Sequence, residues 1–282
     1  MEIHPDQIQK QVISSPPKEH GEAQYIARYL TLPKYCLLVM KSILSIPNVV
    51  NFSDTHECRY PDPQFRWLLS DGSVRETVGQ EFFDHLNRVN SEAKEYFASC
   101  WYDSTNGSPN ETMWSAYAGD GVFVVFEKKS FMDALISQSY RPYRRTEREI
   151  VAPFGFGPVR YYGQVDFADW LSEDKNLPHP AFAKRRAYQP ENEFRIVYRR
   201  RDFSDDVRNG LRQPKGGFGL HFQEHIENYG LLRVVYKSTS IKNALLAIRE
   251  TLEDFCGRKL PKEMDWEKAA AFGIGEADPR CF

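Results

Sequence analysis

Hydrophobic and polar positions along the chain alternate between two periods. Gln24 to Leu30 reads as a short strand. After Pro33, Cys36, Leu37, Met40, Ile43 and Leu44 recur at helical spacing, predicting a helix that stops before Pro47. Val49 to Phe52 reads as a strand ending in Ser53-Asp54. Tyr60-Pro61-Asp62-Pro63 is loop-forming, since proline disfavours helix at the residue before it. Helical patterning resumes over Val78 to Lys94, and Tyr96 to Trp101 has strand composition. A polar turn spans 103–110, followed by a short helix over Thr112 to Ala118. Gly119-Asp120-Gly121 ends that helix. Val122 to Phe126 is the strongest strand in the chain, a continuous apolar run expected to be buried on both faces. Lys128 to Ser139 reads as an amphipathic helix, and further strands fall at 158–166, 193–199 and 232–236. Ser240 to Cys256 reads as a helix with a stripe of Leu245, Ile248, Leu252 and Phe255. No linker divides the pattern. The expectation is a flexible segment over 1–21 and one α+β domain over 22–282, with helices packed on a mixed, mostly antiparallel sheet.

Composition narrows the function classes. The chain has 282 residues, a net charge of -2 and 14% aromatic residues. That charge excludes a uniformly basic nucleic-acid coat but allows a local basic face. No apolar run reaches the roughly 18 residues of a membrane span. The opening residues carry no hydrophobic signal region, which predicts a cytoplasmic protein. The cysteines (Cys36, Cys58, Cys100, Cys256 and Cys281) are scattered, odd in number and without paired spacing, so neither a disulfide framework nor a zinc cluster is expected.

Three patterns carry candidate chemistry. Trp114 and Tyr117 lie three apart on one helical face, where they either wall a planar ligand or pack as core. Glu191 and Glu193, two apart at a strand entry, are expected on one face, with Arg195 placed to hold one carboxylate. A carboxylate there binds a ribose hydroxyl or stabilises a developing sugar cation; otherwise the group is a surface ion pair. Basic residues interleave with tyrosines: Arg141, Arg144, Arg145 and Arg148 with Tyr140 and Tyr143; Lys184, Arg185 and Arg186 before Tyr188; Arg199 to Arg201 after Tyr198. That pairing holds phosphates and stacks bases. Separately, His221-Phe222-Gln223-Glu224-His225 matches an inverted zinc-hydrolase pattern that requires a helix. Glycine-rich phosphate loops and a Gly-x-Ser-x-Gly elbow are absent.

The order of motifs resembles a mostly bacterial family of unknown function, the DUF two-nine-seven-one family. The matching residues are Arg28-Tyr29, Phe52-Ser53, Met113-Trp114-Ser115-Ala116-Tyr117-Ala118, Lys184, and Tyr188-Gln189-Pro190-Glu191-Asn192-Glu193-Phe194-Arg195. Asp62-Pro63-Gln64-Phe65 matches the family's Asn-Asp-Pro-Phe-like loop poorly. That family is similar to ADP-ribosyltransferases in its order of elements. The resemblance implies an ADP-ribosyltransferase-like fold with NAD as co-substrate. It implies Glu193 as the catalytic acid, Glu191 orienting the acceptor, and Tyr117 or Ser53 as the middle residue. Arg28 and Tyr29 would hold NAD, and Trp114 would stack on nicotinamide. It further implies a toxin-like effector of toxin–antitoxin or antiviral defence systems, acting on RNA, DNA or protein and paired with an antitoxin or chaperone. The alternatives are a non-enzymatic nucleic-acid-binding module and a zinc hydrolase on His221 and His225; no metal is otherwise expected.

Overall fold

The computed structural model describes residues 24–54, 57–59, 80–104, 107–136, 139–140, 149–150, 153–163, 179–200, 217–261 and 263–265. In chain order the strands and helices are β1 (Tyr25–Leu30), α1 (Leu32–Lys41), β2 (Ile43–Pro47), α2 (Gln80–Ser91), β3 (Tyr96–Ser104), α3 (Glu111–Tyr117), β4 (Val122–Glu127) and α4 (Lys128–Ile136). There follow β5 (Ser139–Tyr140), β6 (Glu149–Ile150), β7 (Gly155–Pro158), β8 (Arg160–Tyr162), β9 (Ala183–Arg185) and β10 (Glu193–Arg199). The last are β11 (Gly217–His221), β12 (Leu231–Tyr236), α5 (Thr239–Cys256) and β13 (Glu263–Asp265). The class is α+β with mostly antiparallel pairing, as the patterning predicts.

The chain divides into two compact units, each discontinuous in sequence. The first takes the described residues of Met1–Ile46, Cys100–Pro153 and Phe218–Phe282; the second takes those of Pro47–Ser99 and Phe154–Gly217. One boundary falls inside β3, between Ser99 and Cys100. A boundary within a strand leaves no Pro-, Gly- or Ser-rich linker for a sequence to show.

In the first unit β1 is central. It pairs antiparallel with β4 from Tyr25↔Glu127 to Leu30↔Val122, and with the second half of β3 from Tyr25↔Ser104 to Ala27↔Tyr102. β12 joins the other edge of β4, and β13 runs parallel to β12. Successive strand residues face opposite sides, so the sheet has two distinct faces. One carries Ala27, Phe123, Val125 and Val235, packed against Trp114 of α3. The other carries Trp101 and Phe126, whose rings lie 4.5 Å and 4.6 Å from Phe131 of α4. A second sheet runs in the order β2-β11-β5-β6.

Two glycines set the α3–β4 corner. Gly119 takes a left-handed backbone, φ 53, which costs glycine little. Gly121 is required for a different reason: an added Cβ would sit 2.0 Å from the Leu30 carbonyl oxygen.

In the second unit β10 and β7 pair antiparallel from Phe194↔Pro158 to Val197↔Gly155, and β8 pairs with β9 in parallel. The first half of β3 and helix α2 belong here as well.

Several predicted elements come out differently. Helix α1 ends at Lys41, capped by Ser42 in a left-handed conformation (φ 50), and Ile43 to Pro47 continue as a strand. Its buried face is Tyr35, Leu38 and Val39, while Leu37 and Met40 of the predicted stripe are exposed. Val49 to Asn51 form a 3-10 turn, because the Asn48 side chain caps it by accepting from the Val50 N–H at 3.0 Å. The predicted strand at 158–166 is split between β7 and β8, with 164–166 outside the described residues. In α5, Ile241, Leu245 and Leu252 are buried, but Phe255 is 84% exposed. The segment expected to be flexible, 1–21, and Cys281 lie outside the described residues.

Candidate functional site

The late motif assembles a buried ionic cluster in the second unit. β9 presents Ala183 and Arg185 to one side and Lys184 to the other. Lys184 is only 8% exposed, and its ammonium meets three carboxylates: Glu191 at 2.6 Å, Glu57 at 2.8 Å and Glu193 at 3.3 Å. It also stands 4.5 Å from the ring centre of Tyr188. Burial opposes the charge on Lys184, but Glu193, Glu57 and Glu191 together outweigh it and raise the ammonium well above its ordinary value.

Arg195 on β10 is fully buried, at 0% exposed. Its Nε donates to Glu193 Oε1 at 2.7 Å, and its Nη2 donates to Glu193 Oε2 at 3.1 Å and to Glu57 Oε2 at 2.6 Å. Nη1 donates to the Ala181 carbonyl at 2.9 Å. A forked grip of this kind fixes the plane of the Glu193 carboxylate. The backbone is held too: the Glu193 N–H donates to Tyr161 Oη at 2.7 Å. Burial raises the Tyr161 hydroxyl above its ordinary value, so it stays protonated across the neutral range.

Glu191 and Glu193 do converge, but not as neighbours on one strand. Glu191 ends a 3-10 turn, Arg186–Glu191, and Asn192 takes a left-handed backbone at φ 37 before β10 begins. That turn, not the pleat, brings the two carboxylates to the same ammonium.

Sequence reasoning missed Glu57 and Cys58. Cys58 has a left-handed backbone, φ 56, and its thiol lies 3.8 Å from Arg195 Nη1. Burial pushes that thiol up to about 12, against the lowering effect of Arg195. Glu57 lines a cleft together with Val49, Val50, Phe52, Asp54, Arg59 and Ala93. The one sequence signal near this turn was Ser53-Asp54. Asp54 accepts from Arg185 Nη2 at 3.0 Å; Ser53 itself is exposed.

Arg28, Tyr29, Trp114 and Tyr117 fall in the first unit. Tyr29 Oη accepts from the Asn110 N–H at 2.7 Å, and its ring meets Trp114 edge-on at 6.0 Å. Asn110 caps α3 by accepting from Thr112 and Met113. Trp114 is 2% exposed and its Nε1 donates to the Gly119 carbonyl at 3.0 Å. Its ring is therefore core and presents no open wall. Tyr117, one turn later on a seven-residue helix, is 48% exposed, so the two rings do not form one face toward a ligand. Arg28 points to the opposite side of β1 from Tyr29, 5.4 Å from the Trp101 ring centre and 3.4 Å from the Ser45 carbonyl. Burial lowers its guanidinium to about 10. Arg28 and Tyr29 thus serve different faces of the sheet and do not form a single grip.

The basic runs divide as well. Lys184 is removed from the surface run by its burial among carboxylates. Arg185 and Arg186 are exposed, with Arg185 5.4 Å from the Tyr188 ring centre. Arg141, Arg144, Arg145, Arg148 and Arg201 lie outside the described residues. The His221–His225 segment is not a helix. His221 ends β11 and His225 precedes the 3-10 turn Ile226–Tyr229, so the spacing does not put both imidazoles on one helical face. Among the described residues no group of three or more His, Cys, Asp or Glu side chains is placed to hold a metal ion. Nor is any helix among them long and apolar enough to cross a membrane.

No known family model matches this chain. A search of characterised proteins finds no match either.

Proposed function

We propose that this chain is an NAD-dependent ADP-ribosyltransferase, a toxin-like effector working in the cytoplasm, with Glu193 at its reacting centre. The observation that carries the reading is the convergence of Lys184, Tyr188, Glu191, Glu193 and Arg195 on one buried cluster. Residues spread over twelve positions and matched as a motif by resemblance are physically one group. The transfer breaks the glycosidic bond between the ribose and nicotinamide, releases nicotinamide, and joins the ribose carbon to an acceptor oxygen or nitrogen that gives up its proton. A carboxylate fixed in plane by a guanidinium stabilises the oxocarbenium-like transition state of such a step through its charge; Glu193 is 4% exposed with both oxygens held by Arg195 and Lys184, so substrate reaches it when one of those bonds gives way. Lys184 and Arg195 hold Glu193 in one orientation, and Glu191, bonded to Lys184, would orient the acceptor. An acceptor carrying phosphates, RNA or DNA, suits the exposed Arg185 and Arg186 beside Tyr188.

The test is incubation of the purified chain with NAD and, in turn, RNA, DNA and protein acceptors, following nicotinamide release and acceptor mass. Release together with an acceptor mass increase of one ADP-ribose supports the reading. Intact NAD with every acceptor class overturns it. Salt-sensitive RNA or DNA binding with intact NAD would instead favour a nucleic-acid-binding module.

A further inference from the structure

Glu57 differs from the other members of the cluster. It comes from a different stretch of chain, 138 positions from Arg195. It uses one oxygen for each cation, Oε1 at 2.8 Å from Lys184 and Oε2 at 2.6 Å from Arg195. It also lines the cleft beside Phe52, Asp54 and Arg59, whose lining includes neither Glu191 nor Glu193.

We infer that Glu57 is a positioning residue of the proposed transfer site: it seats Lys184 and Arg195, and these two in turn fix Glu193. Its catalytic consequence rests on the transferase reading; its seating role does not. The geometry gives the reason. Arg195 Nη2 is shared between Glu57 at 2.6 Å and Glu193 at 3.1 Å, while Nε holds Glu193 at 2.7 Å, so the guanidinium's tilt is set by both carboxylates. Lys184 likewise holds Glu57 more closely than Glu193, 2.8 Å against 3.3 Å. Without the Glu57 carboxylate both cations lose an anchor on the same side. Arg195 still bonds Glu193 through Nε at 2.7 Å and the Ala181 carbonyl at 2.9 Å, and Lys184 still bonds Glu191 at 2.6 Å, so the grip on Glu193 tilts rather than opens, while Glu193 itself remains. An effect transmitted this way changes the rate of the chemical step more than the affinity for substrate. The same displacement uncovers Cys58, whose buried thiol lies against Arg195 Nη1.

The experiment compares the unaltered 282-residue chain with Glu57→Gln and Glu57→Asp. It measures kcat and KM for NAD, and the rate at which a thiol reagent labels Cys58, located by peptide mass mapping. Glu57→Gln should lower kcat at least tenfold with KM within twofold, and speed Cys58 labelling at least tenfold. Glu57→Asp, which keeps the charge but is too short to reach both cations, should fall between. If the unaltered chain leaves NAD intact, the transferase reading fails by itself, and the labelling rate decides whether Glu57 seats Arg195. If Glu57→Gln does not fold, Glu57→Asp decides. Wild-type labelling in the folded variant, or a raised KM with unchanged kcat, overturns the inference.

Discussion

Arg195 and Glu57, 138 positions apart, are joined at 2.6 Å through Nη2, and the same nitrogen reaches Glu193 at 3.1 Å. One guanidinium thus ties the turn at residue 57 to strand β10. Breaking a buried pair by removing one partner costs about 3–5 kcal/mol, because the remaining charge is left without compensation. Arg195→Met leaves three carboxylates, Glu57, Glu191 and Glu193, on the single ammonium of Lys184 within the cluster. The expected outcome is a loss in that range by urea denaturation. A loss under about 1 kcal/mol would mean that the cluster behaves as a solvated surface pair.

The thiol of Cys58 gives the cluster a pH signature. Burial pushes it up to about 12, so the folded chain holds this proton more tightly than the unfolded one. A group raised in this way contributes stability fully below its unfolded value, about 8.5, and the contribution disappears as pH rises through about 12. Lys184, raised by Glu193, Glu57 and Glu191 against its own burial, acts in the same direction from a higher starting value. Stability should therefore decline on the alkaline side. Cys58→Ala should make that decline shallower above about pH 9. Parallel curves for the two proteins would contradict the assignment.

Trp114 and Tyr117 separate by burial. Trp114→Ala removes a packed indole from the face shared with Ala27, Phe123 and Val235 and should cost about 3–5 kcal/mol. Tyr117→Ala removes a half-exposed ring and should shift stability by no more than about 0.5 kcal/mol. Equal effects from the two substitutions, measured by thermal melts, would show that the helix face is not divided this way.

At the α3–β4 corner the constraint is backbone contact. Gly121→Ala would place a Cβ 2.0 Å from the Leu30 carbonyl oxygen, which β1–β4 pairing holds in place. Neither side of that contact is a flexible side chain. The substitution should cost about 3 kcal/mol or more, read as a lowered melting temperature. Gly119→Ala meets no atom within 4 Å and suffers only from its positive φ, so it should cost about 1 kcal/mol.

How much of this was legible in the sequence depended on range. Val122–Phe126 and Glu193–Arg199 have strand patterns strong enough to fix their type, and both are strands. The α1 stripe misled because Cys36, Leu37, Met40, Ile43 and Leu44 keep helical spacing across Ser42, where the backbone turns left-handed and the chain becomes β2. Glu193 and Arg195 were legible as partners, being two apart on a strand. Lys184 was not legible as their partner. It stands in a basic run with Arg185 and Arg186, and only the strand alternation of β9 turns it inward. Glu57 was invisible, since a lone acid in a loop carries no pattern until the fold brings Arg195 to it.

Glu193 is proposed as the reacting carboxylate of a nicotinamide-releasing transferase. The most direct measurement is nicotinamide release from NAD by the unaltered chain and by Glu193→Gln, with circular dichroism on both. Release by the unaltered chain, and a fall of at least a hundredfold, about 2.7 kcal/mol of transition-state stabilisation, in a Glu193→Gln chain that remains folded, is the predicted result. Nicotinamide release at equal rates from both proteins, or from neither, would contradict it.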